Sequence, residues 1–205
     1  MDEPPFQARR QGTFLDSLGH AWSGLVWTVV HGRNMRMHVL AAVLVSLVGS
    51  GIPLGLAEKV TLIFSVLIIF FAEILNTALE QLVDLAVQQF DEKARLTKDI
   101  AAAGVLVLGI GTAVIFAAIL AHNGETLLSH IEQIERQVLL GVPLTIGVGV
   151  LMHEAHKPLA AVIATLLGTL GLWGALCVSS FSWVFSAMTL GLIALAAAAT
   201  RERRR

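Results

Sequence analysis

Six apolar runs dominate this chain, at about 35–48, 60–88, 100–121, 137–152, 158–178 and 181–199. Most approach the roughly 20 residues that an α-helix needs to cross a bilayer. The Leu, Ala, Val and Ile blocks are continuous, without the alternation of a transmembrane β-barrel. Hydrophobic residues make up 56% of the chain and charged residues 14%. A soluble domain has about 45–50% and about 25%, so both departures point to an all-α integral membrane protein. The first 20 residues are polar and lack an apolar core with a cleavage site, so no signal peptide is expected. Cys177 is the only cysteine and lies in an apolar run. One chain therefore offers neither a disulfide framework nor a cysteine-based metal site.

Between the runs the chain divides into recognisable pieces. Residues 1–12 are polar and read as a mobile tail. Residues 13–31 place Phe14, Leu18, Ala21, Trp22, Leu25, Val26 and Val29 at helical spacing, the pattern of an amphipathic helix at the membrane surface. The segment from His31 to His38 breaks the apolar pattern. Gly49-Ser-Gly-Ile-Pro53 ends the first span with turn residues. The second run exceeds one bilayer thickness, so its later half should emerge into water or a headgroup-level cavity. Residues 88–99 form a dense charge cluster before the third span. Residues 122–136 are a polar linker, where Leu127, Ile131, Ile134 and Val138 suit a short interfacial helix.

Six spans put both termini on one side. With the N-terminus cytoplasmic, all of the 14 Lys and Arg except Lys59 and Arg136 fall on that side, as the positive-inside rule requires. The expected organisation is a membrane domain over 1–121, an extracytoplasmic linker over 122–136 and a three-helix membrane region over 137–205. Residues 73–99 then face the cytoplasm, where ATP is available. Nothing in the sequence suggests a nucleic-acid partner.

The second span ends in an acidic stripe. At about 100° per residue, Glu73, Asn76, Glu80 and Asp84 lie within roughly 80° of one helix face. Carboxylates in a membrane helix are expensive, and such groups usually mark a site. Lys98 and Asp99 sit on the same side of the membrane. Hard oxygen ligands suit Mg²⁺, which takes one or two carboxylates and leaves other positions to water and phosphate. A lysine can neutralise phosphate charge, and a spare carboxylate can take a proton from an attacking hydroxyl. These are parts for phosphoryl transfer from a nucleoside triphosphate. There is no Walker-type glycine loop and no kinase catalytic loop, which excludes the soluble-kinase folds. The residues alone also allow a charge-paired helix end at the headgroup boundary.

The pattern Glu73-Ile-Leu-Asn76-Thr-Ala-Leu-Glu80-x-x-Val-Asp84, followed by Lys98-Asp99-Ile-Ala-Ala-Ala, resembles the signature of the small prokaryotic integral-membrane diacylglycerol and undecaprenol kinases. Ala21-x-x-Gly24-Leu25 and Arg33-Asn34-Met35-Arg36-x-His38 resemble it too, and the likeness covers about 13–121. It implies a surface helix and three membrane helices assembled as a homotrimer in the bacterial inner membrane, multi-pass with both termini cytoplasmic. Its active sites would lie at the cytoplasmic interfaces between subunits. The implied reaction moves the γ-phosphate of ATP to a lipid hydroxyl, with Mg²⁺. By position, Glu73 resembles the catalytic base, Glu80 a metal-binding carboxylate, and Asn76, Asp84, Lys98 and Asp99 residues lining the nucleotide and phosphate site. Glu73 and Lys98 would also meet the lipid substrate. His20 and Gly24 fall where the surface helix covers the nucleotide.

Two positions depart from that pattern. Gly32 stands where a metal-binding glutamate is common, and Thr13 where an arginine is common. With the three extra spans, Gly32 supports a second reading, a weakened or non-catalytic membrane scaffold on the same fold. A transporter is disfavoured because the acids sit at one helix end, and the last three spans carry no matching charge. In the C-terminal region, His153-Glu-Ala-His156 reads as a solvated turn. Ala164, Gly168, Gly171, Gly174 and Ala175 supply small residues for close helix packing.

Overall fold

A computed structural model describes residues 13–153 and 158–204. Eight helices follow in order: α1 (Phe14–His31), α2 (Arg33–Gly51), α3 (Leu56–Ala86), α4 (Glu92–His122), α5 (Gly124–Ser129), α6 (Ile131–His153), α7 (Leu159–Val178) and α8 (Trp183–Arg203). Six of them, all but α1 and α5, are long and apolar enough to cross a membrane. There is no strand among the described residues. The expected all-α membrane architecture, a surface-type helix with three and then three spans, is the one observed. The N-terminal tail and the turn at 154–157 lie outside the described residues.

Two boundaries differ from the sequence reading. The charge cluster at 88–99 is mostly helix, because α4 begins at Glu92 rather than near 100. Asp91 caps it, its side chain accepting the Ala94 N–H at 2.9 Å, and Glu92 in the first turn complements the helix dipole. The interfacial helix also divides: Leu127 falls in the six-residue α5, whereas Ile131, Ile134 and Val138 open α6.

α1 starts at a capping box in which Thr13 and Asp16 exchange hydrogen bonds. Its first half leaves Phe14, Leu15, Leu18 and Trp22 exposed, while Val26 and Val29 are buried. The surface-helix pattern thus becomes a packed one towards the α1–α2 elbow.

α2 is the hub. It packs against α1, α3, α6 and α8, and Met35, Val39 and Val43 on it are fully buried. These residues share one core with Leu144 and Val148 of α6 and with Ile193 and Ala196 of α8. Close approach explains part of the fit. A Cβ on Gly49 would stand 2.5 Å from the Phe185 ring of α8, so glycine is what admits that ring.

α3 and α4 form a hairpin of two 31-residue helices, each about 46 Å long against a hydrocarbon core of about 30 Å. It is tied at both ends. At one, Asn123 Nδ2 donates to Glu58 Oε1 at 2.6 Å, while Glu58 Oε2 accepts the Gly55 N–H at 2.8 Å. At the other, Lys98 Nζ makes a short ion pair with Asp84.

Candidate active site

The acidic stripe of α3 runs along one face, as the spacing predicts. Asn76 Nδ2 donates to Glu80 Oε1 at 2.9 Å, one turn apart. Glu73 is 2% exposed and Asn76 5%. Glu73 Oε2 and Asn76 Oδ1 are buried without a hydrogen-bond partner. Buried polar atoms are nearly always paired, so two neighbouring unpaired acceptors on one face make this a candidate place for a ligand or water.

Two cavities meet at these residues. The first, about 280 Å³, is polar; Glu80, Gln81 and Thr77 of α3 face Trp27, His31 and Gly32 of the elbow. The second, about 380 Å³, runs the other way between His38 of α2 and Val105, Gly109 and Ala113 of α4. Asn34, Glu73 and Asn76 line both. A third, about 520 Å³ and mostly apolar, continues from His38, Gly109 and Ala113 down to Val48, Val66 and Phe116. Together they make a groove with α2 and α4 as walls and α3 as floor, polar at one end and apolar along the rest.

Depth follows from the helix rise. Along α3, Glu73 is about 22 Å and Glu80 about 33 Å from Glu58. With Glu58 placed at one edge of a core of about 30 Å, Glu73 falls about 8 Å inside the opposite edge and Glu80 about 3 Å beyond it.

The remaining stripe residues are more open. Asp84 is engaged by Lys98 at the outer rim. Asp99 is exposed and lines none of these cavities. His20 and Gly24 lie on the exposed half of α1, and nothing stands within 4 Å of a Cβ built on Gly24. The structure therefore gathers Glu73, Asn76 and Glu80, pairs Asp84 with Lys98, and leaves His20, Gly24 and Asp99 outside the groove.

The elbow adds side chains that the stripe alone did not disclose. Trp27 and His31 stack with ring centroids 4.3 Å apart, and His31 Nδ1 donates to the Trp27 carbonyl at 3.0 Å. Thr77 and Gln81, four and eight residues beyond Glu73, share its face, and that spacing could have found them. Gly32 is the joint itself, ending α1 and opening α2. A Cβ there would stand 2.6 Å from the Thr28 carbonyl oxygen, so this backbone has no room for any side chain at 32.

The donor set fits Mg²⁺ better than a softer metal. It offers carboxylate and amide oxygens from Glu80, Asn76 and Glu73. Among the described residues no group of three His, Cys, Asp or Glu side chains is placed to hold a metal. A cage of protein ligands is thus not built, whereas Mg²⁺ needs only one or two carboxylates besides water and phosphate.

The family model described as prokaryotic diacylglycerol kinase matches residues 19–120. The undecaprenol kinase of Bacillus subtilis (strain 168) is 32% identical over 102 residues, half of this chain and 83% of that protein. The chain belongs to the prokaryotic diacylglycerol kinase family. A diacylglycerol kinase of Synechocystis sp. is 34% identical over 107 residues, 52% of this chain and 61% of that relative's length. A diacylglycerol kinase of Escherichia coli (strain K12) is 27% identical over 111 residues, 54% and 91% respectively. These relatives are named as kinases, phosphotransferases with an alcohol acceptor. No solved structure matches the chain. The family match stops at the end of α4, so α5–α8 lie beyond it.

Proposed function

We propose that this protein is an ATP-dependent lipid kinase that phosphorylates the hydroxyl of a membrane lipid, a diacylglycerol or a polyprenol such as undecaprenol. One observation carries the reading. A buried carboxylate with an unpaired oxygen stands where a polar cavity meets an apolar, membrane-deep groove. A lipid alcohol lying in the groove brings its hydroxyl to Glu73 from below, and a nucleotide phosphate reaches the same point from the polar side.

In the proposed reaction Glu73 takes the proton as the lipid oxygen bonds to the γ-phosphorus. The bond from that phosphorus to its bridging oxygen breaks, and ADP leaves with the electron pair. Glu80 and the Asn76 amide oxygen would hold Mg²⁺ together with phosphate oxygens. Mg²⁺, when bound, supplies charge neutralisation at the phosphates. Lys98, Asp84 and Asp99 serve the phosphate end from the rim, and His20 and Gly24 the nucleotide from α1.

The bacterial inner membrane with both termini cytoplasmic is the proposed setting, because it puts this rim beside ATP and obeys the charge rule. Homotrimer assembly remains compatible with the extra spans. They pack on α1 and α2, while Phe64, Leu67, Phe71 and Leu75 of α3 stay exposed.

The test is a radiolabelled ATP assay on the full chain in detergent with Mg²⁺ and a panel of lipid alcohols. Labelled lipid phosphate is expected, and its loss in Glu73→Gln. Turnover surviving in that variant removes Glu73 as the base. No turnover with any acceptor would favour the scaffold reading, which Gly32 motivates.

A further inference from the structure

α1 ends at His31, and a helix end leaves its last carbonyls without intrahelical partners. Here they are met by two arginines. Arg36 Nη1 donates to the Val30 oxygen at 2.8 Å and to the Val29 oxygen at 3.4 Å. Arg203 Nη2 donates to the same Val30 oxygen at 2.6 Å, from 173 residues away. Guanidinium groups suit this position because the carbonyl end of a helix is its negative pole. The second arginine comes from the last turn of α8, beyond the family-matched region.

α8 is itself held firmly. Ala196 and Ala199 are fully buried in the core that contains Val26 and Val29 of α1 and Met35 of α2. Thr200 Oγ1 donates to the Leu151 carbonyl, tying α8 to α6. The carbonyl that Arg203 grips lies one residue before His31 and two before Gly32, both of which line the polar cavity with Glu73 and Glu80.

We propose that the C-terminal region positions the α1–α2 elbow of the candidate active site, with Arg203 as the positioning residue. α8 forms a fixed post, and its arginine caps α1 at the turn that walls the nucleotide side. The geometry stands on its own; its consequence for ATP rests on the lipid-kinase reading. The three added spans then do more than fill membrane. They do for this elbow what an isolated four-helix unit would have to do with local contacts alone.

The experiment uses the full chain with Arg203→Met, which keeps length but removes the donor, and Arg203→Lys, which restores one donor. Hydrogen exchange is read at the amides of 26–32, and KM for ATP and kcat are measured in parallel. In Arg203→Met, exchange there should rise about tenfold, the scale of one lost charged hydrogen bond, with α6 and α7 unchanged. KM for ATP should rise by a similar factor while kcat moves less than about twofold, as for loss of binding rather than transition-state contact. Arg203→Lys should recover part of both. Unchanged exchange overturns the proposal, and so does faster exchange with an unmoved KM. Should Arg203→Met not fold, intermediate exchange in Arg203→Lys supports the brace and wild-type exchange in it overturns it. If the wild-type chain turns over no lipid, the function fails on its own and the exchange data still decide the brace.

Discussion

α2 and α4 wall the same groove and are both long and apolar enough to cross a membrane, yet half of the apolar stretch of α2 is buried within the protein and only 6% of that of α4. α2 has neighbours on nearly every side, including α6 and α8 behind it. α4 packs on α3 and touches α5, and its one buried residue is Val105. One wall is thus set by the protein. The other is set by two end ties and by whatever lies outside the chain, lipid or a second copy. On the proposed lipid-kinase reading, unequal walls would combine a rigid nucleotide side with a side along which a lipid can enter.

The largest effect should come from the floor that both walls flank. Glu73→Gln should lower lipid phosphorylation by on the order of 10²–10⁴-fold, the usual range for a lost general base, with thermal unfolding near that of the wild type. Paired deletions then test the walls directly. Leu47→Ala on α2 should cost about 2–5 kcal/mol, as core truncations do, because Leu47 is packed between α2 and α6. Val107→Ala on the exposed side of α4 should stay within about 0.5 kcal/mol. Detergent unfolding of both variants measures the difference, and a large loss in Val107→Ala with a smaller particle size would show that a second copy covers α4.

At the elbow, Gly32→Ala should destabilise by about 1–3 kcal/mol, the scale of overpacking, and raise KM for ATP. For the same reason Gly32→Glu should disturb the turn instead of supplying a metal ligand, which activity measured against Mg²⁺ concentration can check. The Asp84–Lys98 tie of the looser wall is half open to solvent, so Lys98→Ala should alter stability by no more than about 1 kcal/mol; a larger fall in turnover would separate a phosphate role from a structural one.

The smallest effect belongs to the start of α1. Hydrogen bonds from the Thr13 side chain and backbone hold the Asp16 carboxyl below its ordinary value of 3.8. The folded state favours the ionised form. Its contribution is therefore complete above that value and fades as pH falls below it. Asp16→Asn should remove this pH dependence, read as exchange at the first turn of α1 between about pH 5 and pH 3.

Much of the architecture could be read in advance because membrane helices announce themselves by length and apolar content, and because a 3–4 spacing of acids is visible in any helix. Glu73, Asn76 and Glu80 share a face for that reason alone. The start of α4 was hidden because charged residues that look like a loop also make a good capped first turn once Asp91 is in place. The elbow residues were harder. Trp27 and His31 belong to a surface helix by pattern, and only the packing of α8 behind α1 brings that turn over the stripe. The conflict at Gly32 is likewise a matter of one carbonyl oxygen, which no composition or period encodes. Arg203 lies 173 residues from Val30, and nothing local ties the two.

If α3 and α4 carry the proposed reaction, the overlength of their hairpin gives bilayer thickness a direct say in it. With Glu58 at one edge, Glu73 falls about 8 Å below the expected opposite edge of the hydrocarbon, and the hairpin is tied at both ends. A thicker membrane would draw the carboxylate deeper and lift the cost of bringing phosphate to it. A thinner one would let water reach it and weaken the dry end of the groove. On the lipid-kinase reading, hydrophobic mismatch, usually a matter of where a helix sits, would control how far a lipid hydroxyl must rise to meet its phosphate.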